Sequence, residues 1–232
     1  MVIALVLSGG TGSRLGADIP KQYLRVQGRP VLLYCMETLH KSPVIDAVQI
    51  VAAQEWQEEI GSWLEAYGLA EKFRGFSLPG ENRQLSIFHG LTGIRQYAEE
   101  DDLVLIHDAA RPLLSQQLIV DCAEAIMGHD GVLPVLPMKD TVYFSEDGRQ
   151  ITSLLDRQAV FAGQAPELFR LGTYYQANER LLPEEILRIN GSTEPAVLAG
   201  MQIAMVPGDE RNFKITTPAD LERFRQIVEN EA

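Results

Sequence analysis

The stretch Ala4-Leu5-Val6-Leu7-Ser8-Gly9-Gly10-Thr11-Gly12-Ser13-Arg14-Leu15-Gly16 leads on to Pro20-Lys21-Gln22-Tyr23-Leu24. The apolar run from Val2 to Leu7 reads as a fully buried strand. It ends in small residues, Ser8 to Ser13, where glycines let backbone approach a ligand with no Cβ in the way. Arg14 and Lys21 bring two cations to the same place. A strand feeding such a loop at its C-terminal end marks where open α/β sheets bind ligands. Backbone N–H groups, Arg and Lys together suit a polyphosphate. The P-loop pattern G-x-x-x-x-G-K-S/T fails, because neither Gly9 nor Gly10 places a Lys correctly. The dinucleotide pattern G-x-G-x-x-G fails as well, because Gly16 arrives one residue late. A ligand-free glycine turn would leave the two cations unexplained.

Outward from this loop the periodicity alternates. Pro30 is expected at the first position of a helix over Val31–Lys41. Val44–Ala53 reads as a strand and Gln54–Tyr67 as an amphipathic helix. That helix collects Trp56, Ile60, Trp63 and Leu64 near one face, so both tryptophans read as packing residues. Phe73–Leu78 is a strand, Ser86–Tyr97 a helix, Leu103–Ile106 a short buried strand, Gln116–His129 a helix and Gly131–Leu136 a strand. This order predicts an α/β fold with a doubly wound, mostly parallel sheet and right-handed crossovers. The rhythm then breaks. Lys139–Phe144 and Gln150–Leu155 alternate like strands around Ser145-Glu146-Asp147-Gly148, a hairpin signal. One domain over 1–232 with an inserted β-arm at 138–158 is the expected organisation. Phe161–Pro166 leads to a helix over Leu171–Arg180. A short helix opens at Thr193-Glu194-Pro195-Ala196, and Ile203–Pro207 is a strand. Asn212–Ile215 is extended. Thr217 as N-cap, Pro218 and Asp220 then open the last helix.

The 232 residues carry a net charge of −12, which argues against broad binding to nucleic acid or anionic membranes. An acidic protein that handles anions must concentrate its cations, so the placement of Arg14, Lys21, Arg83, Arg111, Arg157 and Lys214 carries the information. The two cysteines, Cys35 and Cys122, lack metal spacing and read as buried thiols of a reducing compartment. No run reaches the roughly 18 apolar residues of a membrane span, and a cytoplasmic location is expected.

The predicted strand ends deliver Ser8–Arg14, Gly80–Arg83 and His107–Arg111 to one crevice. Asp108, opposite phosphates, is a candidate Mg²⁺ ligand, or else an N-cap or a partner of Arg111. His107 reads equally as a structural or a catalytic residue. No G-x-S-x-G, Cys–His or H-E-x-x-H constellation is present. What remains are cations, backbone amides and one carboxylate, the equipment of phosphoryl or nucleotidyl transfer.

The ordered series of the glycine loop with Arg14, Pro20-Lys21-Gln22-Tyr23, His107-Asp108-Ala109-Ala110-Arg111-Pro112, Lys139-Asp140-Thr141, Asp156-Arg157, Asn212-Phe213-Lys214-Ile215-Thr216 and Pro218-Ala219-Asp220-Leu221 resembles the 2-C-methyl-D-erythritol 4-phosphate cytidylyltransferases. It also resembles the related ribitol-5-phosphate cytidylyltransferases. The resemblance implies a Rossmann-like nucleotidyltransferase fold similar to GT-A folds. It implies that CTP and a polyol phosphate give a CDP-polyol and pyrophosphate, with Mg²⁺ and no covalent intermediate. It makes Arg14, Lys21 and Lys214 the catalytic cations. Ser8, Gly9, Gly10, Thr11 and Gly12, with Gly80, Glu81, Arg83 and Ser86, become the CTP site. Asp108, Arg111, Thr141, Arg157 and Ser192 fall on the polyol-phosphate side, and Asp108 on the metal. In the family the arm reaches a partner subunit, which implies a homodimer with Arg157 acting in trans.

The chain departs from the family pattern at several positions. Ala165 replaces a frequent Thr, and Glu167 stands where Gln is usual. Ser192-Thr193-Glu194-Pro195 replaces Thr-Asp-Glu-Ala. Arg211 replaces an Asp, for which Asp209 or Glu210 would have to compensate. These changes fall on the acceptor side, so a ribitol-5-phosphate or other polyol-phosphate enzyme is the alternative. A nucleotide-sugar glycosyltransferase would need a D-x-D motif at a strand end, which is missing. A non-enzymatic nucleotide-binding regulator would have no use for Arg14, Lys21 and Asp108 together.

Overall fold

In a computed structural model of the chain, residues 1–10 and 19–231 are described. The elements run β1 (Val2–Leu7), β2 (Arg25–Val26), β3 (Arg29–Pro30), α1 (Val31–Lys41), β4 (Ala47–Val51), α2 (Gln54–Ala66), β5 (Phe73–Ser77), α3 (Arg83–Ile94), β6 (Leu103–Asp108), α4 (Gln116–Ala125), β7 (Gly131–Pro137), β8 (Val142–Phe144), β9 (Ser153–Leu155), β10 (Phe161–Gly163), β11 (Glu167–Arg170), α5 (Leu171–Glu179), α6 (Glu194–Leu198), β12 (Ile203–Pro207) and α7 (Pro218–Glu231).

The main sheet has eight strands in the order β10-β7-β11-β6-β1-β4-β5, with β12 also on β7. β1 is parallel to both β4 and β6, β4 to β5, and β12 to β7. Strand β1 is apolar throughout because both of its faces are covered. Ala4 and Val6 pack with α1, α2 and α4. Ile3 and Leu5 pack with α3 and α5. The chain winds from β1 outward through β4 to β5 and then returns to β6 on the other side of β1. That reversal opens the crevice at the carboxyl ends of β1 and β6.

The observed elements differ from expectation in instructive places. Pro30 lies one residue before α1, as its N-cap residue. Helix α3 begins at Arg83, three residues earlier than the periodicity suggests, because the Asn82 side chain accepts the Leu85 N–H at 2.8 Å. Strand β6 runs on through His107 and Asp108, which pair with Val6 and Leu7. β11 was not anticipated at all: it lies antiparallel between β6 and β7. Its four residues, Glu167-Leu168-Phe169-Arg170, are charged at both ends and too few to show a period. Last, the hairpin forms as β8 on β9, antiparallel, with Val142 opposite Leu155.

Candidate active site

The crevice is a cavity of about 490 Å³. Leu7, Gly9 and Gly10 line it from the end of β1, and Lys21 and Gln22 from the turn that follows. Gly80, Glu81, Asn82, Arg83 and Ser86 come from the β5–α3 connection. Asp108 and Ala110 come from the end of β6, and Lys214 and Thr216 from the segment before α7. Lys21 and Lys214 come from opposite ends of the chain.

Side chains behind the cavity set the start of the glycine loop, Ser8 to Gly10. Gln22 Nε2 donates to the carbonyls of Ser8 (2.7 Å) and Gly10 (2.8 Å). The Tyr23 hydroxyl donates to Ser8 O at 2.8 Å. Tyr23 packs on Trp56 and Trp63, with ring centroids 4.4 and 5.9 Å apart. Trp63 in the core and the half-buried Trp56 are thus packing residues behind Tyr23, as the amphipathic spacing of α2 suggested. Gly9 lies against the β5–α3 connection so closely that a Cβ would sit 2.6 Å from Pro79 Cβ. On that connection, Ser86 Oγ accepts the Gly80 N–H at 2.9 Å and donates to Asn82 O at 2.8 Å.

Asp108 is the electrostatic centre. Arg83 Nε lies 3.1 Å from one carboxylate oxygen, Lys214 Nζ 3.0 Å from the other, and Arg111 Nε 3.6 Å away. Burial alone would raise its pKa, but Arg83, Lys214 and Arg111, in that order, hold the carboxyl well below the usual range. Next to it, His107 is fully buried and its Nε2 meets the Arg111 carbonyl at 2.9 Å. Burial pushes its pKa down to about 4. His107 is therefore a neutral structural residue that sets the turn carrying Arg111.

The structure brings Gly9, Gly10, Lys21, Gly80, Glu81, Arg83, Ser86, Asp108 and Lys214 to one cavity. Ser8 lies behind it, 2% exposed, its hydroxyl on Tyr23. Arg111 reaches Asp108 and donates to the Asn212 carbonyl at 2.8 Å. Ser192 does not line the cavity; its hydroxyl accepts from Arg83 Nη1 at 2.7 Å. Thr141 and Arg157 are exposed on the arm, where Arg157 Nη1 donates to Lys139 O at 2.9 Å. Thr11, Gly12 and Arg14 lie outside the described residues. Neither Asp209 nor Glu210 lines the cavity: Asp209 accepts the Arg211 N–H at 2.8 Å, and Glu210 pairs with Lys139. Sequence reasoning gave no role to Gln22 or Tyr23, although the run Pro20-Lys21-Gln22-Tyr23 stood out.

Among the described residues no cluster of three or more His, Cys, Asp or Glu side chains is placed to hold a metal ion. Both oxygens of Asp108 already face cations. Asp108 and Glu81 are the carboxylates that line the cavity. A divalent ion held there would take most of its ligands from phosphate oxygens and water.

A family model described as IspD, 2-C-methyl-D-erythritol 4-phosphate cytidylyltransferase, matches residues 2–230. The chain belongs to this family. A relative from Geobacter metallireducens, named 2-C-methyl-D-erythritol 4-phosphate cytidylyltransferase, is 35% identical over 227 residues, which is 95% of this chain and 94% of the relative. A ribitol-5-phosphate cytidylyltransferase from Streptococcus agalactiae is 29% identical over 230 residues, covering 99% of this chain and 95% of its own. The crystal structure of 4-diphosphocytidyl-2C-methyl-D-erythritol synthase from Anaerococcus prevotii superposes with a TM-score of 0.84 at 25% identity, over 98% of this chain and 96% of that one. IspD family membership carries the fold with it, a Rossmann-like α/β nucleotidyltransferase.

Proposed function

We propose that the chain transfers the cytidylyl group of CTP to 2-C-methyl-D-erythritol 4-phosphate, releasing pyrophosphate. The observation that carries this reading is the meeting of Lys21 and Lys214, far apart in sequence, with the glycine loop and Asp108 around one cavity. An oxygen of the acceptor phosphate attacks the α-phosphorus of CTP, a new P–O bond forms, and the bond to the β-phosphate bridging oxygen breaks. No protein nucleophile is needed. Lys21 and Lys214, with Arg14 by resemblance, stabilise the charge that develops on the phosphates. Gly9, Gly10, Gly80, Glu81 and Ser86 hold the nucleotide. Mg²⁺ enters as part of the MgCTP substrate.

The arm supplies the rest of the acceptor site. Its exposed apolar side chains, Tyr143, Phe144, Ile151 and Leu154, are 47–67% accessible and would be covered by a second copy of the chain. That contact would bring Thr141 and Arg157 to the partner's cavity. No described helix is long and apolar enough to cross a membrane, and the two free, buried cysteines suit a reducing compartment. We place the enzyme in the cytoplasm.

The departures at Ser192 and Arg211 and the ribitol-5-phosphate relative favour a second acceptor. Pyrophosphate release with CTP and each polyol phosphate decides between them. Turnover with methylerythritol phosphate is expected; turnover with ribitol 5-phosphate alone would overturn the reading.

A further inference from the structure

A second carboxyl stands beside Asp108 that neither the sequence patterns nor the reaction above employs. Glu167 opens β11 opposite Ile106 of β6. Cross-strand partners point to the same face, and Asp108, two residues beyond Ile106, points there too. Antiparallel β11 thus sends its first residue to the carboxyl edge of the parallel strands. Glu167 is 8% exposed, and its Oε2 is buried without a hydrogen-bond partner. Such burial is unfavourable. It raises the carboxyl's pKa, and Arg83 is the strongest opposing influence, followed by Ser192.

Ser192 acts on this carboxyl, lowering its pKa, and accepts a hydrogen bond from Arg83. It is 2% exposed. Its carbonyl accepts the Tyr174 hydroxyl at 2.6 Å, and that hydroxyl accepts from Gln84 at 3.1 Å. Gln84 also donates to Asn178 at 2.5 Å, and Asn178 donates back to the Tyr174 carbonyl at 2.8 Å. The backbone of Ser192 is therefore locked from beneath, and its hydroxyl accepts from Arg83. Arg83 spans Asp108 and Ser192 and lies within electrostatic reach of the Glu167 carboxyl.

We propose that Glu167 is a positioning residue which, together with Ser192, fixes the Arg83 guanidinium against Asp108 in the orientation it presents to the bound nucleotide. This rests on the CTP-binding reading above. An arginine held by Asp108 alone would swing freely, and each bound nucleotide would have to order it. Preorganising the side chain removes that cost from binding. Loss of Glu167 therefore weakens binding more than it slows chemistry.

The test is a double-mutant cycle, read by CTP titration calorimetry and by steady-state kinetics. Glu167→Ala is expected to raise the Kd and KM for CTP about tenfold, with kcat within about threefold. Glu167→Gln keeps the shape and one acceptor oxygen, and is expected to stay within about threefold of the wild type. In an Arg83→Ala background Glu167→Ala should add less than about twofold. Equal factors in both backgrounds, or a fall in kcat at unchanged KM, would overturn the proposal. Should Glu167→Ala fail to fold, Ser192→Ala cuts the same link from the other side and must show the same rise in Kd; no rise would be equally fatal. The titration uses CTP alone. A wild type that binds CTP but turns over neither polyol phosphate overturns the functional reading and leaves the answer on Glu167 standing.

Discussion

His107 and Asp108 are sequence neighbours on β6 with opposite electrostatics. Burial keeps His107 neutral, with its pKa pushed from 6.5 to about 4. Between those values the unfolded chain binds a proton that the folded chain refuses, so stability falls as pH drops from 6.5 towards 4. The loss is about 3 kcal/mol and levels off below that range. Asp108 acts in a different window. Its carboxyl is held below the ordinary value by Arg83, Lys214 and Arg111 against the effect of burial, so its contribution is lost only below about pH 4. Denaturant unfolding of His107→Gln, whose amide still reaches the Arg111 carbonyl, should show a flatter pH dependence between 4 and 6.5 than the wild type. Under the proposed reaction Lys21 stabilises charge on the triphosphate. Lys21→Ala should lower kcat by about 10²–10³, as removal of one charge stabiliser does. Full turnover of this variant in a pyrophosphate-release assay would remove Lys21 from the mechanism.

At the level of elements, the start of α3 decides the site's shape. Asn82 caps the helix through Leu85 and also donates to Ile186 O at 2.9 Å, tying the β5–α3 connection to the segment before Ser192. Asn82→Ala should cost about 1 kcal/mol of stability and, by loosening Gly80 to Arg83, raise the KM for CTP more than it lowers kcat. Thermal melts and initial rates measure the two effects separately. Most elements of this sheet were legible in the sequence, because buried parallel strands and amphipathic helices write long apolar periods. Glu167 to Arg170 could not be read that way. Four residues do not make a period, and their strand state comes from the ladders with β6 and β7. The candidate site was legible where residues lie in one run, as in Gly9, Gly10 and Lys21. What the sequence could not show at Ser192 is that Arg83, 109 positions away, donates to its hydroxyl.

For the whole molecule, the arm sets the expectation of shared sites. If Arg157 serves the partner's cavity, Arg157→Ala and Lys21→Ala damage different halves of one site. Each variant alone should be nearly inactive. An equal mixture, allowed to exchange subunits, should recover about a quarter of wild-type turnover, since half the dimers then carry one intact site. No recovery in subunits shown to exchange would place Arg157 in its own chain's site or outside catalysis. If the arm pairs two copies of the chain as proposed, Leu154→Asp on its exposed face should shift the protein towards monomer in sedimentation velocity, because it would bury a charge in an apolar contact.

The sequence by itself determined what short-range physics controls. Apolar runs set the alternation of strands and helices, small residues after Leu7 the close-approach loop, and the ordered motifs the family. Only the tertiary structure decided which distant groups share charge. Asp108 meets Arg83, 25 positions away, and Lys214, 106 positions away. It also decided that a reversed strand would bring Glu167 beside them. Pairing register and burial are properties of the assembled sheet, and no local window of residues contains them.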